Sequence, residues 1–516
     1  MKAKFIIKTF LVSLLMVGTL LSCTGYNEDI INELEVDRAF APVQLTATVR
    51  TQTTVELNWT ARENVDHYVV EFSADDPNFT TIAKTLTVEA SELPIKVQME
   101  GETLYSIRVK AIVNGIAESN WTTVTAKTLS EQIFSNIING DILSYEATLR
   151  WPAGSNVTQI KLMPGNITHV ITAQEKANGV AKITGLSAET AYTATLYNGT
   201  KVRGTKTFTT GVDLTNAIIV KPTDNLIQKI TDAPSGALLV LEPGDYTAQT
   251  GTITLAKSIK IQGLKSYDKP LLKLNFLLVA GSANVSLIDL DLSGGGTMTD
   301  LLRINEASNN YGAIGYRGCT IHDFTRSLVA ANIAAKITSF TIENSVVKNV
   351  NTAAGGDFID FRLSYIADIM IKNNTFVNCS SDRDFVRVDA TTNFTGNTNV
   401  TLDSNTLYKT SNSSTTTFRR IFYVRFATHT LVSKNNIFDS TNALYANQST
   451  TNNPTFTNNN YTNATNLTAV AVAPIRYDAS GTSLDPGFAS AATDDFTIAN
   501  QTLKDRKVGD PRWIKN

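Results

Sequence analysis

The chain has 516 residues, with 45 lysines and arginines against 47 aspartates and glutamates, 4 histidines and 3 cysteines. A net charge close to zero, without long runs of one sign, argues against nucleic acid as a partner. The few histidines and cysteines argue against a zinc site and against a disulfide framework. The length allows about two to four domains with cores of their own.

The chain begins like an export signal. Lysines precede an apolar run that is too short to span a bilayer, and the run ends at Ser22-Cys23, which resembles a bacterial lipobox. The resemblance implies cleavage before Cys23, acylation of that residue, and membrane attachment through the lipid alone. Glu28-Asp29 resembles the acidic signal of Bacteroidetes lipoproteins. We therefore predict an outer-membrane lipoprotein exposed at the cell surface; an ordinary secretory signal is the alternative.

Two similar segments follow, each with short strands that alternate apolar and polar residues. In the first segment Trp59 precedes Tyr105 by 46 residues (105 minus 59), and in the second Trp151 precedes Tyr192 by 41 (192 minus 151). A buried tryptophan and a tyrosine at the start of a late strand are typical of two-sheet sandwiches. Both segments resemble fibronectin type III domains. We interpret them as a stalk, with ligand binding at their end loops as the alternative.

A coiled β-architecture is predicted for the rest of the chain. The sequence Leu-Glu-Pro-Gly-Asp-Tyr ending at Tyr246 resembles the first coil of pectate-lyase-like right-handed β-helices. A unit built around asparagine then recurs at Asn344, Asn374, Asn405 and Asn436, with intervals of 30 (374 minus 344), 31 (405 minus 374) and 31 (436 minus 405). Such a period indicates a solenoid, and the asparagine and threonine content excludes helical repeats. Stacked asparagines can bond from one coil to the next.

The predicted fold class is all-β, with two fibronectin type III-like sandwiches followed by a right-handed parallel β-helix. The predicted order is a signal peptide at 1–22, a linker at 23–40, sandwiches at 41–128 and 129–211, and the β-helix with a C-terminal cap at 212–516.

Charged residues recur in a second strand pattern, apolar-apolar-charged-apolar. Residues two apart on a strand share a face, so the pattern predicts one charged face across successive coils. The candidate glycan-binding residues on it are Arg303, Asp360, Arg362, Arg387, Asp389, Tyr423 and Arg425.

This charged face has two interpretations. One is a salt-bridge ladder, with Asp360 next to Arg387 and Arg362 next to Asp389, in which each exposed pair contributes about 0–1 kcal/mol. The other, which we favour, is a groove for an acidic sugar polymer, because the planar guanidinium matches a carboxylate. The ring of Tyr423 would then stack on a sugar.

The same residues would also suit a calcium-dependent lyase that cleaves uronate polymers by β-elimination. Arg387 or Arg425 would be the base, and carboxylates would hold calcium; the candidates are Asp357, Asp360, Asp384 and Asp389. A tight group of carboxylates without an interposed arginine is missing from the sequence. We therefore predict no catalytic residue, no metal site and no cofactor, and favour a binding protein over an enzyme.

The closing segment carries a resemblance of its own. The residues from Leu484 to Phe488 and from Val508 to Trp513 resemble the end of Bacteroidetes surface lipoproteins of polysaccharide-utilisation systems, which join fibronectin type III modules to a pectate-lyase-like β-helix of unknown-function domains. The resemblance implies capture of pectin-like polysaccharide beside outer-membrane glycan transporter components. A structural or adhesive surface protein is the further alternative. We expect Trp513 to cap the last open coil.

Overall fold

The structure is a computed structural model that describes residues 36–352, 355–389, 392–413, 418–469 and 474–515. The predicted signal peptide and Cys23 lie outside the described residues. Among those described, no helix is long and apolar enough to cross a membrane. The chain divides into two compact units: the first contains residues up to Asn136 with Leu149–Ala181 and Tyr192–Phe208, and the second contains Ile137–Thr148, Lys182–Ala191 and the residues from Thr209 onward.

The first sandwich has its alternating apolar residues inside. One sheet contains β1 (Val43–Arg50), β2 (Thr54–Thr60) and β5 (Ile95–Gln98), and the other contains β3 (His67–Ala74), β4 (Lys84–Val88), β6 (Leu104–Ile112) and β7 (Thr122–Lys127). A short 3-10 helix spans Ala90–Glu92. Trp59 is buried and meets Tyr68 edge to face at 5.2 Å. The backbone N–H of Glu100 donates to Tyr105 Oη (3.1 Å), which pins a corner of the chain.

The second sandwich repeats the design. A two-stranded sheet contains β8 (Glu146–Arg150) and β11 (Val180–Thr184), and a four-stranded sheet contains β9 (Gln159–Met163), β10 (Ile167–Val170), β12 (Ala191–Asn198) and β13 (Lys201–Thr209). A helix spans Ala173–Asn178. Trp151 and Tyr192 are both buried, so the predicted recurrence of the core tryptophan and tyrosine is confirmed.

The remaining chain forms a right-handed parallel β-solenoid of about 8 turns. The helix Leu226–Asp232 packs Leu226 and Ile230 into the first coils. The first side of the solenoid contains β14 (Ile218–Val220), β15 (Ala237–Leu241), β17 (Ile259–Gly263), β19 (Val285–Ile288), β22 (Ser308–Arg317), β25 (Ala335–Glu343), β28 (Tyr365–Lys372), β31 (Thr398–Asp403), β34 (His429–Lys434) and β36 (Thr455–Thr457).

A second long sheet bends to form the other sides, and β16 (Asp245–Leu255) and β18 (Leu271–Leu278) supply its first coils. The second side contains β20 (Asp291–Ser293), β23 (Thr320–His322), β26 (Val346–Lys348), β29 (Thr375–Val377), β32 (Thr406–Tyr408), β35 (Ile437–Asp439) and β37 (Asn460–Thr462). The third side contains β21 (Leu302–Ile304), β24 (Val329–Ala331), β27 (Ile359–Phe361), β30 (Val386–Val388) and β33 (Phe422–Val424). Apolar side chains from all sides fill one continuous core.

The predicted asparagine ladder exists at the corner between the first and second sides. Asn374 Nδ2 donates to Asn405 Oδ1 (3.0 Å), and Asn405 Nδ2 donates to Asn436 Oδ1 (2.9 Å). The sequence missed Asn459, which accepts from Asn436 Nδ2 (3.2 Å). All of these amides are buried, so the ladder supplies the polar partners that buried amide groups require.

The first member of the ladder was predicted wrongly. The register pairs Val346 with Thr375, so Ser345, rather than Asn344, occupies the same place as Asn374. Asn344 instead takes the outer corner position, where its φ is 52°. Asparagine suits both places, because it tolerates the left-handed region and can also bond its neighbours.

The C-terminal segment lies along the second side. It contains β38 (Phe488–Ser490), β39 (Asp495–Ile498), the helix Gln501–Asp505 and the 3-10 turn Pro511–Trp513. Trp513 Nε1 donates to Thr375 Oγ1 (2.7 Å), and Thr375 Oγ1 donates to Asp510 Oδ2 (2.7 Å). The expectation that Trp513 caps the last coil is therefore wrong, because its hydrogen-bond partner is the hydroxyl of Thr375, in the middle of the second side.

Candidate functional site

The charged residues predicted from the sequence meet on the third side of the solenoid. In the register of its strands, Arg303, Ala330, Asp360, Arg387 and Tyr423 stand next to one another in successive coils. We call the outer surface around this row the arginine face; its ionic and aromatic residues are Asp300, Arg303, Arg326, Asp357, Asp360, Arg362, Asp384, Arg387, Asp389, Arg420, Tyr423 and Arg425.

The register corrects two details of the sequence prediction. Val388 pairs with Val424, so Arg425 follows the row and lies beside Asp389, and Tyr423 takes the place beside Arg387. The charged pattern fits only residues 423–426, whereas the strand in its true register has Tyr423 in the place of the charge, which explains the error. The pattern also missed the uncharged strand β24, whose Ala330 separates Arg303 from Asp360.

Three of the five carboxylates of the arginine face are buried and bind the backbone of the following coil. Asp300 Oδ1 accepts from the N–H of Ser327 (3.1 Å). Asp357 Oδ1 accepts from the N–H of Asp384 (3.1 Å), and Asp384 Oδ1 accepts from the N–H of Arg420 (2.8 Å). These aspartates are at most 2% exposed, so they form a structural column that joins successive coils.

The guanidinium groups lie outside the carboxylates and bind them. Asp389 accepts from Arg387 Nη2 (2.7 Å) and from Arg425 Nη2 (2.9 Å), while Asp357 accepts from Arg387 Nη1 (3.0 Å) and Arg362 Nη2 (3.2 Å). Toward the N-terminus, Asp300 accepts from Arg303 Nε (2.7 Å). The side chains of the six arginines keep between 12% (Arg420) and 35% (Arg425) of their surface exposed.

The predicted ladder is confirmed in one position and differs in its ion pairs. Asp360 stands beside Arg387 in the register, as predicted, but its guanidinium partner is Arg362 (Nε to Oδ1, 2.9 Å) and it also accepts from the N–H of Asp357 (3.2 Å). Arg362 has no bond to Asp389 among the contacts described for it; its partners are Asp360 and Asp357. A long guanidinium reaches the carboxylate two residues away on its own strand, because both side chains share a face.

Burial and pairing shift the carboxyl pKa values in opposite directions. Burial alone would raise the pKa of Asp389, but hydrogen bonds from Arg387 and Arg425 outweigh it and lower the pKa. Asp360 is fully buried and has only Arg362 as a guanidinium partner, so burial dominates and raises its pKa. Two guanidinium partners therefore lower the pKa of Asp389, whereas one does not offset burial at Asp360.

The ring of Tyr423 is surrounded by cations. The guanidinium carbons of Arg420, Arg387 and Arg425 lie 4.3, 4.8 and 4.8 Å from its centroid. Such distances are those of cation–π contacts. The ring supports the guanidiniums and differs from the open stacking platform that the sequence suggested.

This geometry does not match the chemistry of a calcium-dependent lyase. Among the described residues, no group of three or more histidine, cysteine or acidic side chains is placed to hold a metal ion. The acids proposed as ligands accept from arginines. Burial opposes protonation of Arg387, but bonds to Asp389 and Asp357 raise its pKa above the usual value. The guanidinium therefore stays protonated and cannot accept the substrate proton.

Sequence reasoning missed Arg326, Arg420 and Asp300. Arg326 Nε donates to Asp300 Oδ1 (2.9 Å), and Arg420 Nη2 donates to Asp384 Oδ2 (2.6 Å). A signal for the aspartates was present, because Asp300, Asp357 and Asp384 each stand three residues before the middle of their strand. Arg326 offered no comparable signal, since it precedes the uncharged strand β24.

Two family profiles match the solenoid. They are described as domains of unknown function, DUF4957 over residues 244–379 and DUF5123 over residues 400–513. The prediction of a β-helix that carries unknown-function domains is thereby confirmed. No curated protein matches the chain.

Solved structures match the N-terminal sandwiches. A segment of two fibronectin type III domains from chicken tenascin is 17% identical, covers 33% of this chain and 97% of that chain, and has a TM-score of 0.24. The central fibronectin III array of RIM-binding protein is 19% identical, with coverages of 34% and 63% and a TM-score of 0.14. The FN1–FN3 domains of chicken CNTN1 are 17% identical, with coverages of 33% and 66% and a TM-score of 0.15. These likenesses concern the fold alone.

Proposed function

We propose that this chain is a surface-anchored lipoprotein that binds an acidic, pectin-like polysaccharide on the arginine face. The observation that carries the proposal is the layering of charge, with partly exposed arginine side chains above carboxylates that are buried and already bonded. The combination of fibronectin type III-like sandwiches and a β-helix suggests a surface or adhesive protein, which fits this role.

The layering makes the exposed charge positive. Six arginines of the face outnumber its five aspartates, and the aspartates are the buried partners. Guanidinium groups form short, charge-assisted bonds to carboxylates, and they hold a planar geometry that a carboxylate of the polymer can meet. A surface of this kind favours a polyanion over a neutral sugar.

The arrangement in successive coils favours an extended ligand. Neighbouring strands in a sheet lie about 4.8 Å apart, and the exposed arginines follow one another from β21 to β33. A linear polymer that crosses the strands would meet several guanidiniums at once. Each contact is weak alone, but linked contacts raise the overall affinity.

The anchor belongs to the proposal as well. Acylation at Cys23 would attach the chain to the outer membrane, where polymer and neighbouring transporter components could reach it. Replacing Cys23 by Ala should move the protein from the membrane fraction to the soluble fraction. Protease added to intact cells should degrade the anchored protein; full protection would contradict surface exposure.

The binding test is affinity electrophoresis in gels that contain unesterified homogalacturonan. The chain should be retarded, and the variant with Arg303→Ala and Arg425→Ala should lose most of the retardation. Asp300 keeps Arg326 and Asp389 keeps Arg387 in this variant, so the buried acids remain paired. Lys372→Ala, which removes an exposed cation from the first side, is the matched control and should leave the retardation unchanged.

The outcomes separate the alternatives. Equal retardation of the double variant and the unchanged chain would place binding elsewhere. An absorbance rise from unsaturated uronate products would identify a lyase instead. If no acidic or neutral polymer retards the chain, the structural or adhesive alternative stands.

A further inference from the structure

The carboxylates of the arginine face cannot serve as bridges to a cation carried by the ligand. Both oxygens of Asp389 accept bonds from arginine, Oδ2 from Arg387 and Oδ1 from Arg425. Both oxygens of Asp384 accept from Arg420. A calcium ion between protein and polymer would need such oxygens, and it would have to displace guanidiniums from sites where the acids are buried.

The face also offers little for recognition by ring stacking. Tyr423 is the aromatic residue of the face, and three guanidiniums lie within 4.8 Å of its centroid. A sugar ring could approach it only by displacing a cation that is also bonded to Asp384 or Asp389. Selection on this surface must therefore depend on charge.

We infer that the arginine face selects the unesterified, metal-free form of a polyuronate, and this inference rests on the proposed function. In this inference, the guanidiniums neutralise the carboxylates of the polymer, which is the role that calcium has in its calcium-bound form. A calcium ion bound to the polymer competes with them for the same oxygens. A methyl ester removes the charge, so it removes the charge-assisted bond and leaves a guanidinium facing a neutral group.

The experiment is calorimetric titration of the full-length protein with oligogalacturonides that are short enough to remain soluble in the presence of calcium. Binding is measured in EDTA, in millimolar calcium, and in sodium chloride of matched ionic strength, since screening alone weakens such contacts. Methyl-esterified oligomers form the last arm. We expect calcium to weaken binding by about tenfold relative to the sodium control, which corresponds to about 1.4 kcal/mol, and we expect no binding of the esterified oligomers.

Equal or tighter binding in calcium, or binding of the esterified oligomers, would overturn the inference while leaving the proposed function intact. Absence of binding to every oligomer in every buffer would instead overturn the proposed function. A second measurement uses the protein alone. Its melting temperature should be the same in calcium and in the matched sodium buffer; a calcium-dependent rise abolished by Asp389→Asn would show that the acids of the face do take the metal, and would also overturn the inference.

Discussion

On the third side of the solenoid, aspartates are buried beneath arginines, whereas on the first side charged residues alternate in sign along an exposed row. That row consists of Arg317, Glu343, Lys372, Asp403 and Lys434, which are neighbours in the register of successive strands. None of them is buried. Its described ion pair joins Lys434 Nζ to Asp403 Oδ2 at 3.4 Å.

The two regions use similar residues to different ends. In the exposed row, three bases and two acids alternate at the surface, so opposite charges largely neutralise one another there and leave an excess of one positive charge (3 minus 2). The row can therefore specify register without placing its acids below its bases. On the arginine face, the acids lie below the surface and accept hydrogen bonds from the backbone and from guanidiniums. The arginines lie outside them. Depth, rather than composition, decides whether a charge ladder is a structural device or a surface that attracts an anion.

The sharpest way to test this comparison is to remove one acid from each region. Asp357→Ala leaves Arg362, Arg387 and the N–H of Asp384 without their shared partner, and we expect it to cost about 3–5 kcal/mol of unfolding free energy. Asp403→Ala removes the ion pair with Lys434 and the bonds from Asn435 Nδ2 (3.1 Å) and Ser404 Oγ (2.8 Å), but among the described residues no backbone N–H of another coil loses its partner. It should cost about 1–2 kcal/mol. Urea unfolding of both full-length variants, followed by circular dichroism, measures the difference. Similar losses in the two variants would show that burial does not distinguish the ladders.

The sequence predicted the fold better than it predicted the site. Period-two alternation and the recurring asparagines depend on which face a residue occupies, and this follows directly from strand geometry. The partner of each arginine depends on register and on the reach of a flexible side chain. Arg387, for example, bonds to Asp357 of the preceding coil and Asp389 of its own strand, and no spacing in the sequence distinguishes these acids from Asp360.

The burial of the acids was also beyond the sequence. Asp300 and Asp384 belong to a residue type that is usually exposed. Only the structure shows that they accept hydrogen bonds from the backbone of the next coil. The course of the C-terminal segment was missed for a similar reason. Trp513 donates a hydrogen bond to the hydroxyl of Thr375, and Thr375 lies far away in the sequence.

The same contrast between buried and exposed ladders exists for amides. Asn405→Ala removes a buried side chain that donates to Ile371 O (2.9 Å) and Asn436 Oδ1 (2.9 Å), and unpaired buried groups cost about 1–3 kcal/mol each. We expect a loss of about 2–3 kcal/mol in unfolding free energy, again from urea titration. Asn373→Gly keeps the left-handed corner, with φ of 54°, and removes only an exposed amide bond to Asn344. Its expected change is within about 0.5 kcal/mol; a larger loss would show that the outer amides also hold the coils together.

The smallest expected effect comes from an ion pair in which the base is a histidine, which titrates, instead of an arginine. His322, on the second side, bonds to Asp291 through Nε2 (3.1 Å) and to Asp323 through Nδ1 (2.7 Å). The bond to Asp291 raises the pKa of His322, burial opposes the rise, and Asp323 adds to it. Because the folded pKa exceeds the unfolded value of about 6.5, the stabilisation is fully present below that pH and is lost as pH rises through the folded pKa.

The difference in unfolding free energy between the unchanged chain and His322→Gln isolates this effect. His429 has its pKa lowered by burial and shifts stability in the opposite direction at low pH, but it is present in both proteins and cancels. We expect a difference of about 0.5 kcal/mol at a pH below the unfolded pKa of His322, and no difference at a pH above its folded pKa. A difference that stays constant with pH would mean that His322 acts by packing alone. Arg303 stays protonated over the same range. Burial would raise the pKa of its partner Asp300, but bonds from Arg326 and Arg303 lower it. Arg303→Gln should therefore give a loss that does not vary between the same two pH values.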